Sequence, residues 1–121
     1  MTHNPPRFPR RTFLGWTAAL AANTAPEPLR IGFLGAVHSH AEGKLQVIAK
    51  SADWRLAGVC EADVVVARRL KAAGTPLMSR RELLSDPTIP VIAVESAVRD
   101  HAADALAVLE AGAFSRCRCL P

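Results

Sequence analysis

At 121 residues, half of them hydrophobic, the chain is long enough for one small domain with a core, and its composition excludes a disordered class. The formal net charge of +4 belongs to the two ends, where Arg7, Arg10 and Arg11 face only Glu27 and where Arg116 and Arg118 stand alone; residues 29–115 balance ten basic against ten acidic side chains. A neutral body without a basic stripe, its aromatics reduced to Trp54 and Phe33 before Gly112, argues against a nucleic-acid partner, and no apolar run approaches the roughly 18 residues of a membrane span.

The first 28 residues read as a leader rather than as fold. Pro9 to Ala25 is "PRRTFLGWTAALAANTA", in which Arg10-Arg11 precede Phe13-Leu14 and an alanine-rich apolar stretch. This resembles a twin-arginine export signal, with Ala25 before Pro26 as a cleavage candidate. The alternative is a disordered basic arm carrying an apolar patch. A functional signal places the protein in the periplasm or outside the cell; without one it stays in the cytoplasm. "APEPL", Ala25 to Leu29, is a linker, because its two prolines suit neither a helix nor a central strand.

From Leu29 the pattern alternates. "LRIGFLG" is an apolar strand ending at Gly35. Ala41, Leu45 and Ile48 then recur at helical spacing, which predicts a helix over 39–51 with Ser39 available as its cap. Arg55 to Glu61, "RLAGVCE", is a second strand. Asp63 caps the next helix, whose inner face is Val66, Ala67, Leu70 and Ala73, and Gly74 stops it. "TPLMS" is a short third strand at most. Ser79 and Glu82 form a capping box for the short helix "RRELL". "SDPTIP" turns the chain into Val91 to Glu95, a fourth strand apolar enough to be buried on both faces. A last helix starts near Asp100, with Ala102, Ala105, Leu106 and Leu109 as its inner stripe, and ends at Gly112. The expected fold class is therefore α/β: an incomplete Rossmann-type, doubly wound parallel sheet of about four strands with helices on its faces.

The loop after the first strand carries the chemistry. A dinucleotide fold places G-x-G-x-x-G there: one glycine for the tight turn, one for the approach of the pyrophosphate, and one for helix-on-strand packing. Here Gly35, Ala36, Val37, His38, Ser39 and His40 occupy it. Gly35 matches, whereas Val37 and His40 stand where glycines are expected. The β-branched Val37 narrows the approach, while His38 or His40 could donate a hydrogen bond to a phosphate. Glu61 lies at the end of the second strand, 26 positions after Gly35. The fold puts an acid near that place to bind the adenosine ribose hydroxyls, and a carboxylate repels a 2′-phosphate, so NAD is favoured over NADP. Glu61 also fits an exposed strand-end charge. The fourth strand runs into Glu95, Ser96 and, further on, His101, at the edge of the sheet where the ligand crevice forms; His101 fits either a nicotinamide-side residue or an ordinary first-turn histidine. The histidines lack a carboxylate at metal-ligand spacing, and no serine or cysteine stands in a nucleophile context. Cys60, Cys117 and Cys119 make no disulfide framework. The binding set is thus Gly35, Ala36, Val37, His38, Ser39, His40, Glu61, Glu95, Ser96 and His101, with no catalytic and no metal residue assigned.

Together the pieces "LRIGFLG", "HSHA", "WRLAGVCEAD", "SRRELLSDPTIPVIAVES" and "HAADALAVLEAG" resemble the N-terminal part of the Gfo/Idh/MocA oxidoreductases, the glucose–fructose oxidoreductase and inositol dehydrogenase family. They cover nearly all of Leu29 to Gly112. The resemblance implies an NAD(P)-binding domain of an enzyme that moves hydride between a sugar or polyol and nicotinamide. It also implies a following strand with a Glu-Lys-Pro-like motif and a substrate domain, and neither has a counterpart in these 121 residues. The residues after Gly112, "AFSRCRCLP", differ in composition from the body, which predicts a frameshifted or prematurely ended reading frame and a fragment inactive by itself. From another class, the alternatives are a non-catalytic nucleotide-binding or assembly module, or a pseudogene product without function.

Overall fold

The computed structural model describes residues 24–113; the twin-arginine-like segment and most of the cysteine-bearing tail lie outside the described residues. Three strands form one parallel sheet, β1 (Leu29–Leu34), β2 (Trp54–Cys60) and β3 (Val91–Val94), in the order β2-β1-β3. Four helices connect and cover them: α1 (Ala41–Lys50), α2 (Val64–Ala72), α3 (Arg80–Ser85) and α4 (Val98–Glu110). The expected α/β class with helices flanking a parallel sheet is what the chain adopts. The expected third strand is reduced to one bridge. Leu77 pairs in parallel with Val59, and the Val59 N–H donates to the Pro76 carbonyl while the Met78 N–H donates to the Val59 carbonyl. Pro76 has no N–H to give, so the segment cannot extend its ladder at that point.

Alternation along the central strand builds the two layers. Ile31 and Phe33 point to one face, where they pack with Ala41 and Ile48 of α1, Leu70 of α2 and Val59 of β2. Leu34 points to the other, with Leu83 of α3, Val108 of α4, Ile89 and Ala113. Period-two alternation lets one strand feed both cores. Phe33, Val59 and Leu83 are wholly buried. Gly32 lies directly beneath Leu83, whose methyl occupies the place a Cβ would take; this is how α3 comes close to the sheet.

The local signals mostly hold. Asp63 caps α2 by accepting from the Val65 and Val66 N–H groups, and Ser79 with Glu82 closes a complete capping box on α3. Gly74 and Gly112 take positive φ just beyond α2 and α4. Two expectations are corrected. The N-cap of α1 is His40, not Ser39, and it makes no side-chain capping bond; the turn from His38 to Ala41, closed by the Ala41 N–H on the His38 carbonyl, carries Ser39 outside the helix. The last helix starts at Val98 and turns Asp104 and Val108 inward, leaving Leu106 and Leu109 exposed. On this inner face Asp104 pairs with Arg80 at 2.6 Å while Val108 packs in the core with Leu83 and Ile89. Nothing in the apolar spacing of α4 discloses that partner.

Candidate functional site

The C-terminal ends of the three parallel strands converge on one cleft, the place where an open α/β sheet binds its ligands. Gly35 follows β1 directly with φ 83°, the left-handed region that glycine occupies without cost. A Cβ at this position would stand 2.5 Å from the Ser96 Cα. Gly35 is thus required twice, by its own backbone and by the loop after β3 pressed against it. The Gly35 N–H donates to the Cys60 carbonyl, which ties the loop to the end of β2.

Glu61 clamps the same loop from the β2 side. Its Oε2 accepts the Ala36 N–H at 2.5 Å, and its Oε1 accepts the Asp63 N–H at 2.8 Å. Each carboxylate oxygen has a second lone pair, so acceptor capacity remains for hydroxyl donors. On the β3 side the post is Glu95. Its N–H donates to the Leu34 carbonyl, and its carbonyl accepts the His38 N–H. Its buried carboxylate pairs with Lys44 of α1 and lies 3.8 Å from His38 Nδ1. His38 and His40 stack with ring centroids 4.9 Å apart.

A cavity of about 610 Å3 opens beside the Gly35 turn and the Glu61 end of β2, within the size range of small-molecule sites; Glu95 and His38 do not line it. Gly35, Val37, Glu61, Asp63 and Ser96 line it, and Arg80, Arg99 and Asp104 close the α3–α4 side. Ser96 is buried, with its hydroxyl beside the Asp104 carboxylate. Asp104 is pushed upward by burial, but Arg80 bonded to it, helped by the nearby Ser96 hydroxyl and the His101 charge, holds its carboxyl below the ordinary aspartate range. Cys60, half-buried at the cavity floor, has its thiol raised chiefly by burial, which makes it a weak nucleophile.

The structure therefore gathers Gly35, Val37, Glu61 and Ser96 around one cavity, with Ala36 fastened to Glu61. Ser39 and His40 line a separate, apolar hollow of about 510 Å3 floored by Ile31, Phe33 and Ala93, with Lys44 beside them. His101 is exposed in the first turns of α4 and lines neither cavity. The sequence reading missed Lys44 and Arg80. Both are helix-surface cations by pattern, and only the partners Glu95 and Asp104 single them out. Among the described residues, no group of three or more His, Cys, Asp or Glu side chains could hold a metal ion, and no helix is long and apolar enough to cross a membrane.

No protein-family model and no curated protein matches the chain. The chain is similar to a crystal structure from Erwinia carotovora atroseptica described as a "putative oxidoreductase", with 31% identity over 69% of this chain and a TM-score of 0.59. The match spans only 26% of that neighbour's length. The chain thus has an oxidoreductase-like α/β fold, of which it supplies about a quarter of the neighbour's extent.

Proposed function

We propose that this chain is the dinucleotide-binding part of an NAD-dependent oxidoreductase of the Gfo/Idh/MocA type, the parent enzyme acting on a sugar or polyol. The observation that carries the reading is Glu61. It stands at the end of β2, fastens the phosphate-side loop through Ala36 N–H, and lines the cavity at the place where a Rossmann-type fold meets the adenosine ribose. The residues present fit such a cofactor: a tight glycine turn at Gly35, an acid with spare acceptor capacity, and a helix N-terminus at α1.

When bound, nicotinamide supplies the hydride chemistry. The groups in this chain bind and orient. Gly35 and Ala36 shape the turn, Glu61 holds ribose hydroxyls and disfavours a 2′-phosphate, and Glu95 fixes the loop against β3. None of the cavity residues is assigned a catalytic role, so this domain contributes cofactor binding, and turnover belongs to the parent enzyme. The pattern at Arg10-Arg11 supports export by the twin-arginine route, which carries proteins already folded.

Isothermal titration of the full chain with NAD and NADP tests the reading. Saturable binding with NAD preferred is expected; the absence of binding to either dinucleotide would exclude it. Val37 narrows the loop where a glycine is usual, so the expected affinity is weak, in the range of tens to hundreds of micromolar.

A further inference from the structure

The two edges of the sheet end differently. Beyond β2, residues 76–78 lie against Val59: Leu77 bridges to it in parallel, the Val59 N–H donates to Pro76, and its carbonyl accepts from Met78. Beyond β3 there is no such cover among the described residues, because the order β2-β1-β3 leaves β3 with one neighbour. The phase of its backbone follows from Glu95, whose N–H and carbonyl both turn toward the β1 side, to Leu34 and His38. In a parallel ladder alternate residues bond the same neighbour, so Val91 and Ala93 share that direction. Ile92 and Val94 therefore present N–H and C=O to the open edge, where no described backbone group meets them. The strand "VIAV" carries no charge and no proline, and no bulge breaks its ladder with β1, so it lacks the devices that keep an edge from pairing.

Helix α4 leaves the same side apolar. Asp104 and Val108 face inward, while Arg99, Asp100 and Ala103 line the cavity on the β2 side, where Arg80 of α3 also stands. At about 3.6 residues per turn, Val98, Ala102, Ala105, Leu106 and Leu109 fall on the other flank, toward the open edge of β3. Val98, Leu106 and Leu109 are 84%, 55% and 48% exposed. On the opposite face of the sheet, the apolar hollow floored by Ile31 and Phe33 reaches Ala93 of the same strand. An unpaired strand edge and an uncharged helix stripe thus lie side by side.

We infer that this face joins two copies of the chain, through a two-fold axis at Ala93 that pairs β3 antiparallel with β3 of the second copy. In that register Ile92 of one copy and Val94 of the other exchange both backbone bonds, and the symmetric pair does the same. The outward groups of both edges are then all used. The two Ala93 residues meet at the narrow, non-hydrogen-bonded position, where Cα atoms stand about 4.5 Å apart and a small side chain fits. Leu106 and Leu109 of the two α4 helices cover the seam. A second copy is the occupant because the surface complements itself: the unpaired groups are spaced evenly about an alanine, and the stripe offers nothing to a charged partner. The β2 edge is already covered, so each copy has one open edge, and association closes at two instead of growing into a filament. The face extends about 18 Å along α4 and about 30 Å across the α4, sheet and α1 layers, roughly 500 Å2 per copy. Twice that area lies at the lower limit of specific interfaces, so the dimer dissociates in the micromolar range. Neither Gly35 nor Glu61 takes part, and the inference stands apart from the dinucleotide reading.

Sedimentation equilibrium of the full chain tests this, together with amide exchange of Ile92 and Val94 followed by NMR. The average mass is expected to rise with concentration through the micromolar range and to level at twice the chain mass. Exchange of both amides should slow about tenfold or more as the dimer fills. Leu106→Lys combined with Leu109→Lys, at exposed positions outside the core, should hold the chain at one mass and return both amides to fast exchange. Val65→Lys, at an exposed position on α2, should leave the dimer unchanged. A single chain mass at every concentration overturns the inference. Slow exchange of Ile92 and Val94 in a monomer also overturns it, and assigns the edge to a segment of the same chain. Growth past two copies overturns the closed pairing, and a dimer in which both amides stay fast places the interface elsewhere. Mass and exchange are both read in the unaltered chain, so they decide the matter even where the lysine variant fails to fold.

Discussion

A carboxylate and a glycine decide most of the cleft. Glu61 was legible from its place after an apolar strand, but the sequence did not disclose that it grips the Ala36 N–H. Replacing it with glutamine keeps the shape and one acceptor while removing the charge. Glu61→Gln should weaken NAD binding about ten- to a hundredfold, in line with the roughly 1.5–3 kcal/mol of a charge-assisted hydrogen bond, and should narrow the preference over NADP; titration with both dinucleotides measures this. Gly35 allows a sharper expectation. At φ 83° and with Ser96 backbone against it, any side chain is strained. Gly35→Ala should cost at least about 1–3 kcal/mol, read as a lower midpoint in urea unfolding, and an unchanged midpoint would show that the loop relaxes freely. The neighbouring Val37 was expected to restrict the loop, and it does line the cavity, with no positive φ demanded of it.

At the scale of elements, caps were readable and faces less so. Asp63 and the Ser79–Glu82 box are local, since each uses partners two or three residues away. Their geometry follows from side-chain reach alone, whatever the rest of the chain does. Ser79→Ala should therefore cost about 1 kcal/mol, observed as a lower melting temperature, with little change in dinucleotide affinity. The α1 cap and the α4 face failed for a shared reason. Ser39 was displaced by a turn whose bonds run from His38 to Ala41 and on to Glu95, and the inward face of α4 carries Asp104, paired with Arg80, and Val108 in the core. Hydrophobic spacing reports which residues are apolar, not which polar partner waits across the interface.

For the whole molecule, acid is the informative stress. Three carboxyls titrate below their ordinary values: Asp104 through Arg80 against the pull of burial, Glu82 through the Ser79 hydrogen bonds, and Asp86 through the Thr88 hydrogen bonds. A carboxyl whose folded pKa is depressed adds stability above its unfolded pKa and loses it as the pH falls through the folded value. Stability should thus be level from neutrality to about pH 5 and should decline below about pH 4, near and under the ordinary aspartate value of 3.8. Urea midpoints at pH 7, 5, 4 and 3 measure the profile. Asp104→Asn should flatten the acid limb while lowering the neutral plateau, because it leaves Arg80 without its partner; a limb unchanged in this variant would assign the acid sensitivity to the other carboxyls.

The sequence by itself determined the alternation of strands and helices, the parallel sheet with two covered faces, the glycine turn at Gly35 and the acid at Glu61. These follow from period, capping and turn chemistry, all of which act within a few residues. Tertiary structure alone decided the rest. It reduced the 75–79 segment to a single bridge at Leu77, brought Ser96 against Gly35, and placed Asp104 of α4 opposite Arg80. It also joined Lys44 of α1, Glu95 just past β3 and His38 of the loop after β1 into one cluster. Contacts over 51 residues depend on how layers stack, and no local pattern encodes that distance.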